Sequence, residues 1–261
     1  MLFSFDTYNI LFSFCLCMGL QVIGYLLGAS LKSDKFTDIT YSLTFAILAI
    51  VLLSHLSQPS LEHWLIFSAI IVWALRLGAY LLTRIVIIGH DKRFDEMRED
   101  KLKFAGFWFF QGITVFVVSL PFTVALSRTL PGTTGILFWP GIFIFATGLI
   151  IETVADAQKF RFKNNSKNSG KFIKTGLWAY SRHPNYFGET LVWAGVYICS
   201  VQYLNVYTHF AAIGPVYLVL ILFKVSGISL LEEKYDKVYA QDAEYQQYKR
   251  STSKFILLPK R

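Results

Sequence analysis

The sequence predicts an all-α integral membrane protein with seven transmembrane helices, an outside N-terminus, a cytoplasmic C-terminus and a C-terminal amphipathic helix. Of its 261 residues, 54% are hydrophobic and only 16% are charged, whereas a soluble domain carries about a quarter charged residues. The apolar residues also occur in long runs, and about 20 consecutive apolar residues span a bilayer as a helix. These two observations favour a multi-pass membrane protein.

Seven apolar segments qualify as spans, and polar or Pro- and Gly-containing turns separate them. The first begins at Asp6, Thr7 and Asn9, and "SQPS" at 57–60 separates the second from the third. "SRTLPGTTG" at 127–135 joins the fourth to the fifth. The predicted spans are 8–29, 39–57, 61–83, 104–126, 134–157, 186–202 and 206–230.

The positions of Lys and Arg predict the orientation of the chain. The three short loops on one side contain only Arg128, whereas the loops and tail on the other side are rich in both residues. Cytoplasmic loops carry an excess of Lys and Arg, so this richer side is expected inside. The net charge of +8 then follows from topology, and no nucleic-acid partner is expected. Segment 157–188 has no acidic residue and contains Lys159, Arg161, Lys163, Lys167, Lys171, Lys174 and Arg182.

Charged side chains inside the predicted spans are candidates for function, because each costs roughly 2.5–3.5 kcal/mol at a helix centre. Trp73, Arg76 and Tyr80 share one stripe of the third span. Arg76 either extends to the cytoplasmic boundary or binds an anion at the bottom of a cavity. Asp38 and Tyr41 lie one turn apart at the start of the second span, where Asp38 alternatively interacts with the helix dipole.

Two further groups of candidates lie near the inner ends of later spans. Glu152 and Asp156 are one turn apart in the fifth span, and each has the alternative of pairing with Arg161 or Lys163. After the seventh span, polar and aromatic residues share helix faces, which is also typical of a helix lying on a membrane surface. That alternative does not explain a carboxylate directly at the membrane exit. These tail candidates are Glu232, Tyr235, Tyr245 and Tyr248.

The segment "GLWAYSRHPNYFGETLVWAG" at 176–195 changes from a polar loop to an apolar helix. Pro is tolerated in a first helical turn, so the helix is predicted to begin near Pro184. Arg182, His183 and Asn185 then lie at its N-terminus, where free N–H groups favour an anion. With the basic segment before it, this pattern predicts a site for an anionic cofactor at the cytoplasmic face.

At these residues the sequence resembles the C-terminal half of steroid 5-alpha-reductases, and most closely their bacterial relatives. The resemblance rests on "GLWAYSRHPNYFGETLVW", the helix before it and the tail motif "EYQQYKR", and it is strong over 148–258. "RHPNYFGE" is also similar to a signature of sterol reductases, and a variant occurs in isoprenylcysteine carboxyl methyltransferases. The motif is therefore specific for a superfamily and not for one reaction.

The resemblance implies a single seven-helix membrane domain, with substrate-side helices in 1–130 and a cofactor-binding half in 131–261. It implies NADPH as cofactor and a steroid-like or isoprenoid enone that enters from the bilayer. The expected reaction is 5-alpha reduction of a 3-oxo-4-ene steroid by hydride transfer to the β-carbon. We expect a monomer surrounded by membrane lipid, and the bacterial inner membrane is the default location.

The resemblance also implies roles for the candidate residues. Steroid reductases use a Glu and Tyr pair on early helices, which the second helix of this chain does not match. The predicted catalytic set is therefore Asp38 and Tyr41 as substitutes, with Trp73 at the position of the family tyrosine. No metal site is expected, since Cys15, Cys17 and Cys199 lie in apolar runs without metal-ligand spacing. The implied cofactor-binding set is Arg76, Tyr80, Glu152, Asp156, Arg161, Lys163, Arg182, His183, Asn185, Tyr186, Glu189, Glu232, Tyr235, Tyr245 and Tyr248.

Two other functions compete with this one. The first is an S-adenosylmethionine-dependent methyltransferase acting on a prenylated thiol or a phospholipid. Its zwitterionic cofactor does not require so basic a loop as 157–182. The second is a transporter or lipid-binding protein, which the absence of an internal repeat disfavours. Binding of NADPH, of the methyl donor, or of neither separates the three.

Overall fold

The computed structural model describes residues 6–31, 35–88, 100–129, 134–225 and 227–260, and the ordered elements in these ranges are helical. No β-strand occurs in these ranges, where one isolated bridge pairs Ser181 with Ser253. The all-α prediction is therefore confirmed. The helices are α1 Ile10–Ser30, α2 Lys35–Ser54, α3 Leu61–Ile88, α4 Lys101–Ala125, α5 Phe138–Lys163, α6 Pro184–Ser200, α7 Ile213–Lys224, α8 Ile228–Val238 and α9 Ala243–Ser251.

Six helical stretches in the described residues are long and apolar enough to cross a membrane, which confirms a multi-pass membrane protein. The predicted span 186–202 lies in α6, whose 17 residues are shorter than the roughly 20 of a full crossing. Seven spans and the orientation of the chain thus stay predictions. The six stretches are Ile10–Ser30, Phe36–Ser54, Leu61–Ile87, Lys101–Ala125, Phe138–Lys163 and His209–Val238.

The tail that was predicted as one amphipathic helix is divided into two short helices. Helix α8 ends at Val238, and Asp242 begins α9 as its N-cap. The Asp242 carboxylate accepts hydrogen bonds from the backbone N–H groups of Glu244 and Tyr245, at 2.9 and 3.1 Å. An N-cap aspartate satisfies N–H groups that have no partner within the helix, so it restarts the helix at this point.

The chain forms two compact units. The first comprises Met1–Phe138 and Val196–Gly214, and the second comprises Trp139–Gly195 and Pro215–Arg261. The functional division at residue 130 stays a prediction.

The first unit is built on α1 to α4 and contains a buried network of uncharged polar side chains. The Gln111 Nε2 donates to Gln21 Oε1 at 2.8 Å, and Gln21 Nε2 donates to Thr44 Oγ1 at 3.0 Å. The network closes on backbone carbonyls, because Gln111 also donates to the Thr37 oxygen. Such hydrogen bonds connect α1, α2 and α4 where no water is available to the polar groups.

The second unit is built on α5 and α6, which approach each other closely along glycines. A Cβ added to Gly188 would lie 2.5 Å from the backbone nitrogen of Glu152, and one added to Gly195 would lie 2.5 Å from that of Phe145. On α5, a Cβ added to Gly148 would lie 2.6 Å from the Gly188 carbonyl oxygen. Small residues allow helix backbones to touch, and here they place the first turns of α6 against the middle of α5.

Candidate functional site

The loop before α6 is fastened to the inner end of α5. A 3₁₀ turn at Gly176–Ala179 follows Thr175, and Gly176 itself has φ +63°, which favours glycine. The Leu177 N–H donates to Gln158 Oε1 at 3.0 Å, and the indole of Trp178 donates to the Ala155 carbonyl at 3.1 Å. These bonds determine where the polar residues after the turn are placed.

The C-terminal tail runs beside the same loop and holds it by backbone contacts. The Arg182 N–H donates to the Ser253 carbonyl at 2.9 Å, and the Ser181 hydroxyl donates to the Phe255 carbonyl at 2.7 Å. Helix α6 begins at the predicted proline, directly after this pairing. The N-terminus of α6, with the polar residues 182–185 in front of it, is hereafter the α6 mouth.

Three side chains at the α6 mouth form a nearly buried charged group, which we call the Glu232 cluster: Arg182, His183 and Glu232. Arg182 Nη2 donates to Glu232 Oε2 at 2.7 Å, and His183 Nε2 lies 2.9 Å from Oε1. The side-chain exposures are 11%, 2% and 11%, respectively. A pair so shielded from water interacts far more strongly than a surface ion pair. Glu232 therefore joins α8 to the α6 mouth.

The Arg182 guanidinium also bonds to the tail. Its Nη1 donates to the Lys249 carbonyl and, at 3.5 Å, to the Thr252 carbonyl. Its Nε is buried and has no hydrogen-bond partner in the described structure. Arg182 thus connects α8 and the end of α9, and it retains one buried donor that a ligand can use.

His183 is expected to be neutral at physiological pH. Burial is the main reason that the pKa of His183 lies below its ordinary value, and the positive charges of Lys159 and Arg182 act in the same direction. Glu232 opposes this shift but does not outweigh it. Because a carboxylate only accepts hydrogen bonds, the neutral ring carries its proton on Nε2 and donates a hydrogen bond to Glu232.

An aromatic wall adjoins the Glu232 cluster. Phe172 contacts the rings of Tyr245 and Tyr248 at centroid distances of 5.2 and 5.4 Å, and the Tyr248 hydroxyl donates to the Trp178 carbonyl at 2.7 Å. Burial raises the pKa of both Tyr245 and Tyr248, so both hydroxyls keep their protons. A cavity of about 20 Å³, room for about one water molecule, is lined by Phe172, Ile173, Trp178, Arg182, Glu232, Tyr235, Tyr245 and Tyr248.

Three further predicted ligands lie on α6 beyond the cluster. Tyr186 stacks on His183 with a centroid distance of 5.8 Å and an interplanar angle of 11°. Asn185 presents a buried Oδ1 with no hydrogen-bond partner among the described residues. Glu189 is half-buried one turn further along. The unsatisfied buried Asn185 Oδ1 and Arg182 Nε both belong to the α6 mouth, which makes it a candidate ligand site of the second unit.

The predicted ligands on α5 differ in exposure. Glu152 and Asp156 are buried, whereas Arg161 and Lys163 are exposed in the last turn of the helix. All four belong to the second unit, together with every predicted ligand of the α6 mouth and of the tail.

The remaining candidates belong to the first unit, where Asp38 is an ion-pair partner. Arg84 Nη2 lies 2.7 Å from Asp38 Oδ2, and both side chains are about one-quarter exposed. Arg76 lies over the ring of Tyr80, with 5.7 Å from its Cζ to the ring centroid. The sequence analysis did not expect the pairing of Asp38 with Arg84.

Tyr41 and Trp73 are brought to a common partner. The ring of Phe45 contacts Tyr41 at 5.4 Å and Trp73 at 5.1 Å between centroids, in both cases edge to face. Trp73 is completely buried. The structure thus groups two of the three predicted catalytic residues around one aromatic ring.

Several residues that adjoin the site from the tail were not predicted from the sequence. Lys249 Nζ binds both carboxylate oxygens of Asp236 at 2.6 and 2.7 Å, and the Tyr245 hydroxyl donates to the same group at 3.1 Å. Phe172 was missed as well. The only sequence signal was the recurrence of aromatic residues in the loop and the tail, which did not indicate that they meet.

Comparison with known proteins identifies the family but no solved relative. A profile of a family described as "Protein of unknown function (DUF1295)" matches residues 24–252. A "Probable O-methyltransferase ustE" of Ustilaginoidea virens is 40% identical over 60 residues, 23% of this chain and 21% of that protein. An "Uncharacterized protein C594.04c" of Schizosaccharomyces pombe is 29% identical over 129 residues, 41% of this chain and 37% of that protein. No solved structure matches. The chain thus matches well under half the length of either relative.

Proposed function

We propose a function from one premise: the chain belongs to the family described as "Protein of unknown function (DUF1295)". This is a membrane family related to steroid 5-alpha-reductases and methyltransferases. The proposed function is NADPH-dependent reduction of a lipid-like enone, with 3-oxo-4-ene steroids as the first substrates to test. In this proposal α6 is the sixth of seven spans, the C-terminus is cytoplasmic and the enone enters from the bilayer.

The observation that carries the proposal is an excess of unpaired cations in the segment that precedes the α6 mouth in the sequence. Arg161, Lys167 and Lys171 are exposed, and no carboxylate pairs with them among the described residues. NADPH carries a diphosphate and one further phosphate, whereas S-adenosylmethionine carries no phosphate. A cofactor with several phosphates gains most from such a basic surface, because each Lys or Arg can make a charge-assisted hydrogen bond.

The α6 mouth supplies groups suited to the uncharged parts of the cofactor. Asn185 Oδ1 accepts and Arg182 Nε donates, and neither atom has a partner within the described structure. The Glu232 cluster keeps Arg182 in place, so that this donor does not have to be ordered on binding. Glu232 is accordingly a positioning residue in this proposal, and Asn185 is a ligand.

The reaction requires a proton donor where the substrate carbonyl lies. NADPH supplies the hydride for the β-carbon, and negative charge then develops on the carbonyl oxygen. Asp38 is ion-paired with Arg84, so in this proposal it positions a neighbouring donor and does not donate the proton itself. In the proposal the Tyr41 hydroxyl meets the oxygen, as preorganised donors do in other enzymes, and Trp73 shapes the pocket.

One observation favours a methyltransferase as the second candidate. The relative with the highest local identity reported above is named a probable O-methyltransferase, although the match covers 21% of that protein. In that function the same α6 mouth holds S-adenosylmethionine, and the cations at Arg161, Lys167 and Lys171 have no role in the cofactor site.

Binding to the detergent-purified protein separates the two candidates. NADPH is expected to raise the melting temperature, and Arg161→Gln with Lys171→Gln is expected to weaken NADPH binding by about tenfold or more. The matched control Lys237→Gln with Lys234→Gln removes the same charge on α8 and is expected to leave the affinity unchanged. Stabilisation by S-adenosylmethionine but not by NADPH contradicts the reductase.

A further inference from the structure

A second cavity lies in the tail, after the last turn of α9, and it has no part in the proposed reaction. Its volume is about 260 Å³, below the roughly 300–1,000 Å³ of sites for drug-sized ligands. It is therefore suited to a headgroup and not to a whole cofactor. The lining residues are Arg250, Ser251, Thr252, Ser253, Lys254, Leu258 and Pro259.

The charge of this cavity is entirely positive. No acidic residue follows Glu244 in the sequence. Lys249, just before the cavity, is neutralised by Asp236 at 2.6 Å. Arg250 and Lys254, by contrast, are exposed, and no carboxylate pairs with either of them in the described structure. Two cations that remain unpaired on one small cavity favour a ligand with a compact negative charge.

Hydroxyl groups complete a lining that is typical of phosphate sites. Residues 251–253 are Ser, Thr and Ser, and their hydroxyls are donors that a phosphate oxygen can accept from. Thr252 is only 4% exposed, and its Oγ1 is buried without a hydrogen-bond partner among the described residues. Ser251 has only a long bond of 3.4 Å to the Tyr248 carbonyl. The hydroxyls of Ser251 and Thr252 therefore remain largely available to a ligand.

Apolar residues on the same segment indicate that the phosphate belongs to a lipid. Leu258 and Pro259 line the cavity, and Leu258 and Ile256 are 40% and 50% exposed. Arg or Lys next to exposed aliphatic side chains, on a tail that follows an apolar span, is the pattern of segments that bind anionic headgroups. We propose that this cavity binds the phosphate of an anionic phospholipid. This proposal does not depend on the reductase activity.

The test uses the full chain in nanodiscs of phosphatidylcholine with increasing phosphatidic acid. The wild type is expected to be stabilised against heat as phosphatidic acid increases. Arg250→Gln with Lys254→Gln is expected to weaken the apparent lipid affinity roughly 30-fold, from two lost cation contacts. Thr252→Val, which keeps the shape of the side chain, is expected to weaken it to a smaller degree without unfolding the tail.

A matched pair of cations separates this site from general surface charge. Lys237→Gln with Lys260→Gln makes the same change in net charge outside the cavity, and is expected to retain most of the lipid effect. Equal losses in both double variants, or no loss in Arg250→Gln with Lys254→Gln, overturn the proposal. If soluble glycerol phosphate stabilises the protein as much as phosphatidic acid does, the claim that the bound phosphate belongs to a lipid is overturned. A large loss of NADPH affinity in the cavity variant assigns the site to the cofactor and also overturns it.

Discussion

The Gln21–Thr44–Gln111 network of the first unit and the Glu232 cluster of the second are built from different chemistry. In the first, Gln21, Thr44 and Gln111 are uncharged and bond to one another and to the backbone. In the second, the Glu232 cluster is charged, and Arg182 within it keeps a donor that no group of the described structure accepts. An uncharged, closed network holds helices together, whereas a charged and incompletely bonded one suggests a ligand.

The two networks also differ in what a single substitution removes. Loss of one amide from the uncharged network of the first unit leaves neutral hydrogen-bonding partners. Rearranging such partners in a helix bundle costs little free energy. Loss of Glu232 leaves Arg182 as a nearly buried cation with no counter-charge, which is far more costly. The first network is therefore expected to tolerate changes that the second does not.

The largest effect is expected from Glu232→Ala. It removes the carboxylate that pairs with Arg182 and His183, so the free energy of unfolding should fall by about 3 kcal/mol. Urea or thermal unfolding in detergent measures this fall. The control is Glu233→Ala, whose exposed carboxylate pairs with Lys237, and it should behave as the wild type. Equal stability of the two variants would show that the cluster does not hold α8.

A smaller loss is expected from Gly188→Ala, which tests whether the α6 mouth depends on the contact between α5 and α6. The new methyl group would meet the backbone of Glu152 at 2.5 Å, and overpacking of this kind costs about 2 kcal/mol. Gly106→Ala on α4 is the matched control, because nothing lies within 4 Å of its Cβ. Thermal or urea unfolding should show a loss of stability for Gly188→Ala and none for Gly106→Ala. Similar unfolding curves for the two variants would mean that α5 and α6 are further apart than in the structure.

Gln111→Leu is expected to cost about 1 kcal/mol, because Gln21 loses its hydrogen-bond donor. The affinity for NADPH should not change, since Gln111 belongs to the uncharged network. Calorimetric titration of the variant with NADPH checks this separation, and exposed Gln247→Leu serves as control. A clear loss of NADPH affinity in Gln111→Leu would remove the distinction between the two networks.

The smallest effect is a dependence of stability on pH. The pKa of His183 is lower in the folded chain than its ordinary value of 6.5. Between these two pKa values the unfolded chain therefore binds more protons than the folded chain. The contribution of His183 to stability is fully present above pH 6.5 and is lost as pH falls through the folded value. His183→Asn should flatten the curve below pH 6.5. An unchanged curve would mean that this ring does not titrate there.

The order of most helices followed from apolar length, but their ends and partners did not. The predicted spans 61–83 and 134–157 correspond to α3 Leu61–Ile88 and α5 Phe138–Lys163; α3 continues past Arg84 into aliphatic residues, and α5 continues into the polar segment 158–163. The predicted span 206–230 includes both the end of α7 at Lys224 and the start of α8 at Ile228, so one predicted span corresponds to parts of two helices. Hydropathy reports the cost of burial and does not report where the backbone bends.

The α6 mouth was predicted from local signals, whereas its counter-charge was not. Pro184 and the polar residues around it are a local sequence signal for the start of a helix. Glu232 lies 50 residues from Arg182, and only the tertiary fold shows that it neutralises Arg182. The pairing of Asp38 with Arg84 was missed for the same reason, since the two lie on different helices.

Transfer of hydride from the cofactor to an enone is the most direct test of the proposed function. The purified protein would be incubated with NADPH deuterated at the transferable position and with progesterone, and the product analysed by mass spectrometry. The reductase predicts one deuterium at the β-carbon of a product reduced at the ring double bond. An unreduced steroid, together with methyl transfer from labelled S-adenosylmethionine to a lipid acceptor, would contradict the reductase and establish the methyltransferase.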